Sequence, residues 1–204
     1  MQAPREVVER AIDFGDPDRL PVQFESLGVS DTHMVKWNQR GTGDHGCRES
    51  CDEWGCLWRR TEIENMGQVV GHPLSDWEAA KSFNWPDPER RELYDGMEER
   101  FEGSGDRYVL TGIFMLLFER MHTLRGFENT LTDLYLERRR IEELADRIVE
   151  YDIGIIENIA ERFGPAIDGF SFTDDWGTER NTIISGELWD EFFRPRYKRI
   201  FDVL

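Results

Sequence analysis

The strongest periodicity in the chain places Ile141, Leu144, Ala145, Ile148, Tyr151, Ile155, Ile156, Ile159 and Phe163 on one face of a helix, with charged residues between them. Gly164 and Pro165 stop that helix, as a left-handed cap residue and a non-helical follower would. A second amphipathic run (Leu188, Trp189, Phe192, Phe193, Tyr197, Ile200 and Leu204) predicts a helix entered through Ser185 as its N-cap. Near the start, Pro4 followed by Val7, Val8, Ala11 and Ile12 predicts a short helix closed by Gly15. Short apolar runs bounded by turn residues predict strands at 20–24 (LPVQF), 107–113 (RYVLTGI) and 167–173 (IDGFSFT). A weaker pair, 57–63 and 68–70, predicts a small hairpin around 64–67, and Pro86 and Pro88 break the chain before a charged helix over 89–101.

Strands alternating with helices predict an α/β fold with a mostly parallel sheet and helical crossovers. No GxGxxG and no GxxxxGKS follows any of the strands, which disfavours a nucleotide-binding sheet and leaves a TIM-barrel type as the expected fold. Three barrel-type strands in 204 residues are too few, since the closed (β/α)8 form takes eight strands and about 250 residues. The last helix is still running at Leu204, with Ile200, Phe201, Val203 and Leu204 apolar and uncapped. The expectation is therefore a single domain over 1–204 that is the N-terminal portion of an incomplete barrel, truncated at its C-terminal side. A bare strand edge would drive such a piece to oligomerise or to pair with a complementing C-terminal half.

Composition narrows the function classes. A formal charge of −17 argues against nucleic acid and against an anionic membrane surface, because both need clustered Lys and Arg. The longest apolar run, GIFMLLF at 112–118, is sized for a core and not for a membrane span, and the charged N-terminus lacks a secretory centre. Three cysteines, Cys47, Cys51 and Cys56, fit a reducing cytoplasm better than a disulfide framework.

Candidate chemistry concentrates behind the strand at 167–173. Asp174 and Asp175 are paired carboxylates at the carboxyl end of an α/β strand, where such folds place their sites, and Trp176 follows them. A carboxylate beside an apolar tryptophan has its ionised form disfavoured, which suits general acid work or a hydrogen bond to substrate. The competing structural reading is that both acids cap a loop. His45, Cys47, Cys51 and Cys56 could wrap a zinc, but the spacing H-x-C-x3-C-x4-C matches no standard zinc pattern, and no metal site is assigned. Glu25, His33, Trp37, Trp54 and Trp58 could line a pocket or simply pack loops together. Glu119, His122 and Arg125, at helical spacing after the second strand, could reach the same mouth or form an internal ion pair.

The run FTDDWGTERNTIISGELWDEFFRPRYKRIF resembles the central motif of the uroporphyrinogen decarboxylase superfamily, which also contains cobalamin-dependent methyltransferases. PREVVERAIDFGDPDRLPVQF is similar to that superfamily's opening helix and first strand. DEWGCLWRR, GHPLSDWEAAKSFNWPDPER and LFERMHTLRGFENTLTDLY resemble its methyltransferase-like members. The resemblance implies a TIM barrel and a methyl transfer between a corrinoid, carried on a partner protein, and a small thiol or methoxyl compound. It makes Asp174 or Asp175 the active-site carboxylate, Trp176 a pocket wall and Glu25 a residue at the mouth after the first strand. A zinc that activates a thiol acceptor would be held by residues of the barrel's second half, so this chain alone is expected to be inactive. The alternative within the superfamily is porphyrin metabolism, as a uroporphyrinogen decarboxylase. Its arginine-rich segment has no counterpart here, where the position reads FESLGVSD. A non-catalytic half-barrel that pairs with a second chain is the remaining alternative.

Overall fold

A computed structural model of the chain describes residues 1–39, 48–60 and 67–204. In chain order the elements are α1 (Pro4–Ile12), β1 (Gln23–Phe24), β2 (Val29–Ser30), β3 (Thr32–Met34), β4 (Glu49–Cys51), β5 (Leu57–Arg59), β6 (Gln68–Gly71), α2 (Met97–Arg100), β7 (Tyr108–Ile113), α3 (Phe118–Arg125), α4 (Phe127–Leu136), α5 (Arg138–Phe163), β8 (Gly169–Phe172), α6 (Gly186–Leu188) and α7 (Arg194–Phe201). They form two compact units. The first is Met1–Asn38, Arg90–Ile113 and Glu157–Phe172; the second is Gln39–Glu89, Phe114–Ile156 and Thr173–Leu204.

The first unit is built on a parallel sheet ordered β3-β7-β8. Central β7 buries every second residue, Val109, Thr111 and Ile113, as a strand with one covered face should. α1 lies against β3 and β7 with Val7 and Val8 buried. Gly112 is required where β7 meets β8: a Cβ there would sit 1.8 Å from the Ser171 carbonyl oxygen. The Trp37 indole N–H donates to the Gly112 carbonyl at 2.8 Å, tying the segment after β3 to the same point.

The expected strand at 20–24 is reduced to β1, two exposed residues paired antiparallel with β2. The cause is Asp31. Its carboxylate takes both Arg19 nitrogens at 2.5 Å and the Val22 backbone N–H at 2.8 Å, so residues 19–31 fold back as a turn. Leu20, 82% exposed, is apolar without being core. The strand that enters the parallel sheet is β3, where the sequence pattern predicts no strand. The charged helix over 89–101 is likewise only a 3-10 turn, Arg91–Leu93, and the short α2, separated by Gly96 at φ 73°.

The second unit carries its own antiparallel sheet, ordered β4-β5-β6, in which β5 and β6 pair as the expected hairpin. Asp52 organises it. One oxygen accepts the Trp54 and Cys56 backbone N–H groups, and the other accepts the Trp58 indole and Arg120, both at 3.0 Å. The long helix arrives as the periodicity requires, with Gly154 in its interior because a Cβ there would meet Pro88 at 2.7 Å. Ser185 caps the last helical run through its hydroxyl and the Leu188 N–H at 3.2 Å. A π-helical turn at Trp189–Phe193 then lets the adjacent Phe192 and Phe193 both be fully buried.

These sheets overturn the barrel reading. The parallel sheet has three short strands, and the remaining described strands form two separate antiparallel sheets with no barrel-like arrangement. The fold is mixed α/β, not the N-terminal portion of a (β/α)8 barrel. The physical reason is that the strand needed at 20–24 is diverted by Asp31, and 48–60 with 67–71 pair among themselves. Among the described residues, no helix is long and apolar enough to cross a membrane.

Candidate active site

The site lies in the second unit, where the chain leaves β8 and meets the start of α3. Thr173 holds the turn before α3 through two bonds: its carbonyl accepts the Leu116 N–H and its hydroxyl oxygen the Met115 N–H, both at 2.9 Å. Met115 is left-handed at φ 61°, a conformation that is costly for a side chain with a Cβ and that this clamp maintains. Asp174 then caps the helix. Oδ2 accepts the Leu117 and Phe118 N–H groups at 2.9 and 2.8 Å, and Oδ1 accepts the Glu119 N–H at 2.7 Å. The Tyr197 hydroxyl donates to the same Oδ2. Burial pushes the Asp174 carboxyl up from its ordinary range, and the bonds from Tyr197, Glu119, Leu117 and Phe118 pull against it.

The capped helix presents Glu119 and His122 one turn apart. Glu119 is half-buried, and burial, followed by the charges of Asp174 and Asp175, pushes its carboxyl up to about 7. The backbone N–H of Asp175 bonds to the ionised form and opposes the shift. His122 moves the other way, down to about 4, through burial and then the neighbouring His72. The two groups therefore meet neutral pH as a carboxyl near its midpoint and an uncharged imidazole. Asp175 itself is exposed.

Aromatic rings close the inner side. Trp176 stacks on Phe118 at 4.6 Å and 19°, packs edge-on against Phe193, and donates its indole N–H to the Tyr197 oxygen at 3.1 Å. Phe118 and Phe127 each lie edge-on to the His122 ring, at 5.3 and 5.5 Å. Behind the helix, Arg120 is buried in an ion pair with Asp52 at 3.0 Å, and its guanidinium lies over the Trp54 ring at 5.1 Å. Asp152 on α5 is also buried, and Oδ2 has no hydrogen-bond partner among the described residues.

Of the residues singled out in the sequence, Asp174, Asp175 and Trp176 come together here with Glu119 and His122. Asp174 turns out to hold the helix rather than to face solvent, so the capping reading applies to it, but to a helix distant in sequence. Glu25 belongs to the first unit, in the 3-10 turn Glu25–Leu27 that follows β1. His33 and Trp37 also belong to that unit, His33 bonded to the Arg100 carbonyl at 2.8 Å. Trp54 and Trp58 are buried. Arg125 is structural: it pairs with Asp133 at 2.7 Å and donates to the Leu74 and Ser75 carbonyls. Tyr197 reads in the sequence only as part of an apolar helix face. Asp152 falls within the apolar run of α5, and a carboxylate between Tyr151 and Ile155 is the one signal that could have marked it.

Metal donors are sparse. Among the described residues no three His, Cys, Asp or Glu side chains gather as a ligand set. Cys51 is exposed and Cys56 buried, both as free thiols, with burial pushing the Cys56 thiol up to about 12. His45 and Cys47 lie outside the described residues. No family model, no curated protein and no solved structure matches this chain.

Proposed function

We propose that the chain carries a general acid–base site for methyl transfer from a small methoxyl compound to a corrinoid delivered on a partner protein. The observation that carries the reading is Glu119, a carboxyl pushed up to about 7 and set beside an exposed carboxylate, Asp175. The likeness of DEWGCLWRR, GHPLSDWEAAKSFNWPDPER and LFERMHTLRGFENTLTDLY to the methyltransferase-like members of the uroporphyrinogen decarboxylase superfamily supports the same reaction class.

The corrinoid supplies the acceptor for the methyl group. What the methyl donor needs from this chain is a place to bind and a proton for the oxygen it leaves behind. When the methyl–oxygen bond breaks, its electron pair stays on oxygen, and the carboxylic acid of Glu119 protonates that oxygen. A group with a midpoint near neutrality gives up and regains its proton with little penalty. His122, held neutral, offers a hydrogen bond without adding charge, and Trp176 on Phe118 provides an apolar wall. Asp174 and Tyr197 are positioning residues that hold the helix start. Zinc activation of a thiol acceptor finds no set of donors among the described residues.

The acidic surroundings favour this over porphyrin decarboxylation, because Asp174, Asp175 and Glu119 would repel a substrate with many carboxylates. The expectation that the chain alone is inactive rested on an open barrel and on a zinc site for a thiol acceptor in the barrel's second half, and transfer from a methoxyl compound calls on neither. The residues used here all belong to one unit and need no barrel. A cytoplasmic setting, which keeps thiols and corrinoids reduced, is part of the same proposal.

The test incubates the purified chain with a methoxyphenol and reduced free cobalamin and follows methylcobalamin by absorbance. Formation by the parent chain, slowed about a hundredfold in Glu119→Gln, supports the reading. Equal rates for both proteins, or no methylcobalamin from the parent chain, would sink it.

A further inference from the structure

A second cluster lies within the same unit but shares no residue with the acid–base site. The 3-10 helix Trp77–Ser82 and the segment through Trp85 face α5 across a hollow of about 340 Å³. That volume is within the range of small-molecule pockets. Its floor is Leu74 and Leu144, and Trp77 and Trp85 line it. The Trp77 ring is fixed by the Arg125 guanidinium at 4.5 Å, and the Trp85 ring by Phe83 and Trp54 at 4.8 and 6.5 Å. Both indoles are therefore rigid surfaces, costing little side-chain entropy when something packs on them. A smaller hollow of about 170 Å³ continues past the shared Trp85 and Arg147.

The charges around this hollow are unusual for a chain of net −17. Arg140, Glu143, Leu144 and Arg147 all line it, because positions i, i+3, i+4 and i+7 share one face of α5. The acids are closely paired: Glu143 is held by Arg139 at 3.1 Å, and Glu78 by Lys81, which also lines the hollow, at 2.5 Å. The two arginines are in longer ion pairs only. Arg140 stands 3.8 Å from Glu137 and Arg147 stands 3.9 Å from Glu150, beyond hydrogen-bond distance, with half or more of each side chain exposed. Two guanidiniums with donors to spare, above two fixed indoles, describe a ligand with a flat apolar body and an anionic end.

We propose that this hollow binds a small aromatic carboxylate, its ring against Trp77 and Trp85 and its carboxylate on Arg140 and Arg147. The planar fork of arginine matches a carboxylate in two parallel bonds, which a single point charge would not. A monoanion fits better than a dianion, since Glu78, Glu143 and Glu150 stand at the rim.

Calorimetric titration of the full chain with naphthoate, naphthol and cyclohexanecarboxylate tests this. Naphthoate should bind, and the neutral aromatic and the non-aromatic acid should each bind about tenfold more weakly. The Arg140→Gln/Arg147→Gln double variant should bring naphthoate down to the level of naphthol, and Trp85→Leu should weaken both. Both arginines are exposed, so the double variant keeps its fold. Glu119→Gln should leave naphthoate binding unchanged, which separates this site from the acid–base site. Absence of naphthoate binding, equal affinity for naphthoate and naphthol, equal affinity in the arginine variant, or loss of binding in Glu119→Gln would each overturn the proposal.

Discussion

Asp174 Oδ1 accepts the backbone N–H of Glu119 at 2.7 Å, so the carboxylate that follows β8 fixes the first turn of the helix that presents the raised carboxyl. Oδ2 meanwhile accepts the Leu117 and Phe118 N–H groups and the Tyr197 hydroxyl. Asp174→Ala removes all four acceptor roles from a part-buried place. A lost cap together with stranded donors should cost about 2–4 kcal/mol, seen as a lower urea midpoint with little change in slope. The Glu119 midpoint should also fall, because the Asp174 charge is the second cause of its rise. Carboxyl NMR of Glu119 reads this directly, and an unmoved midpoint would mean that Asp174 is not felt there.

Glu119 makes stability depend on pH in a defined direction. Its carboxyl is raised from 4.5 to about 7 in the fold, so folding favours the protonated form. The contribution is fully present below the unfolded value and is lost as pH rises through the folded one. Glu119→Gln cannot titrate. The variant should therefore gain on the parent chain in thermal midpoint between pH 4.5 and 7, the window set by the two values. His122 has the opposite sign. Lowered from 6.5 to about 4, it destabilises the fold as pH falls through that interval, and Glu119→Gln leaves this loss in place.

The buried pair behind the helix responds differently. Asp52 and Arg120 are 2% and 4% exposed as side chains and 3.0 Å apart. Asp52→Asn leaves the Arg120 charge buried without its counter-ion, and breaking such a pair costs about 3–5 kcal/mol. Asp52→Asn with Arg120→Met removes the stranded charge, so the double variant should recover much of the loss. Additive losses in a double-mutant cycle by urea denaturation would show that the two side chains do not act as a pair.

How much of this was legible in the chain depends on the range of the interactions involved. α5 and the last helical run were readable because their apolar faces repeat over many turns, and β7 and β8 because their short apolar runs end in turn residues. β1 was misread because LPVQF looks like a strand locally, while Asp31 decides its course from outside the segment. The barrel inference failed at the same point, since alternation of element types does not say which strands pair. At the site, strand-end position singled out Asp174–Trp176, and helical spacing Glu119 and His122, which the fold brings together. The division of labour between Asp174 and Glu119 depends on backbone donors 55 to 57 residues away, and no local pattern encodes it.

Asp152 offers the sharpest check on the interior of the second unit. It is 2% exposed, and Oδ2 has no hydrogen-bond partner among the described residues. Burial pushes its carboxyl well up, with the charges of Asp174 and Glu53 adding to the rise and Arg120 opposing it. The fold therefore favours the protonated form of Asp152 more than the unfolded chain does, where the carboxyl ionises near its ordinary value of 3.8. Stability from this group is complete below that value and declines as pH rises toward the folded midpoint. Asp152→Asn copies the shape and neutrality of the protonated acid and does not titrate. Urea denaturation near pH 4 should find the two proteins similar, and at neutral pH the variant should be the more stable. A stability difference that is the same at both pH values would mean that Asp152 is ionised in the fold and held by Arg120 after all.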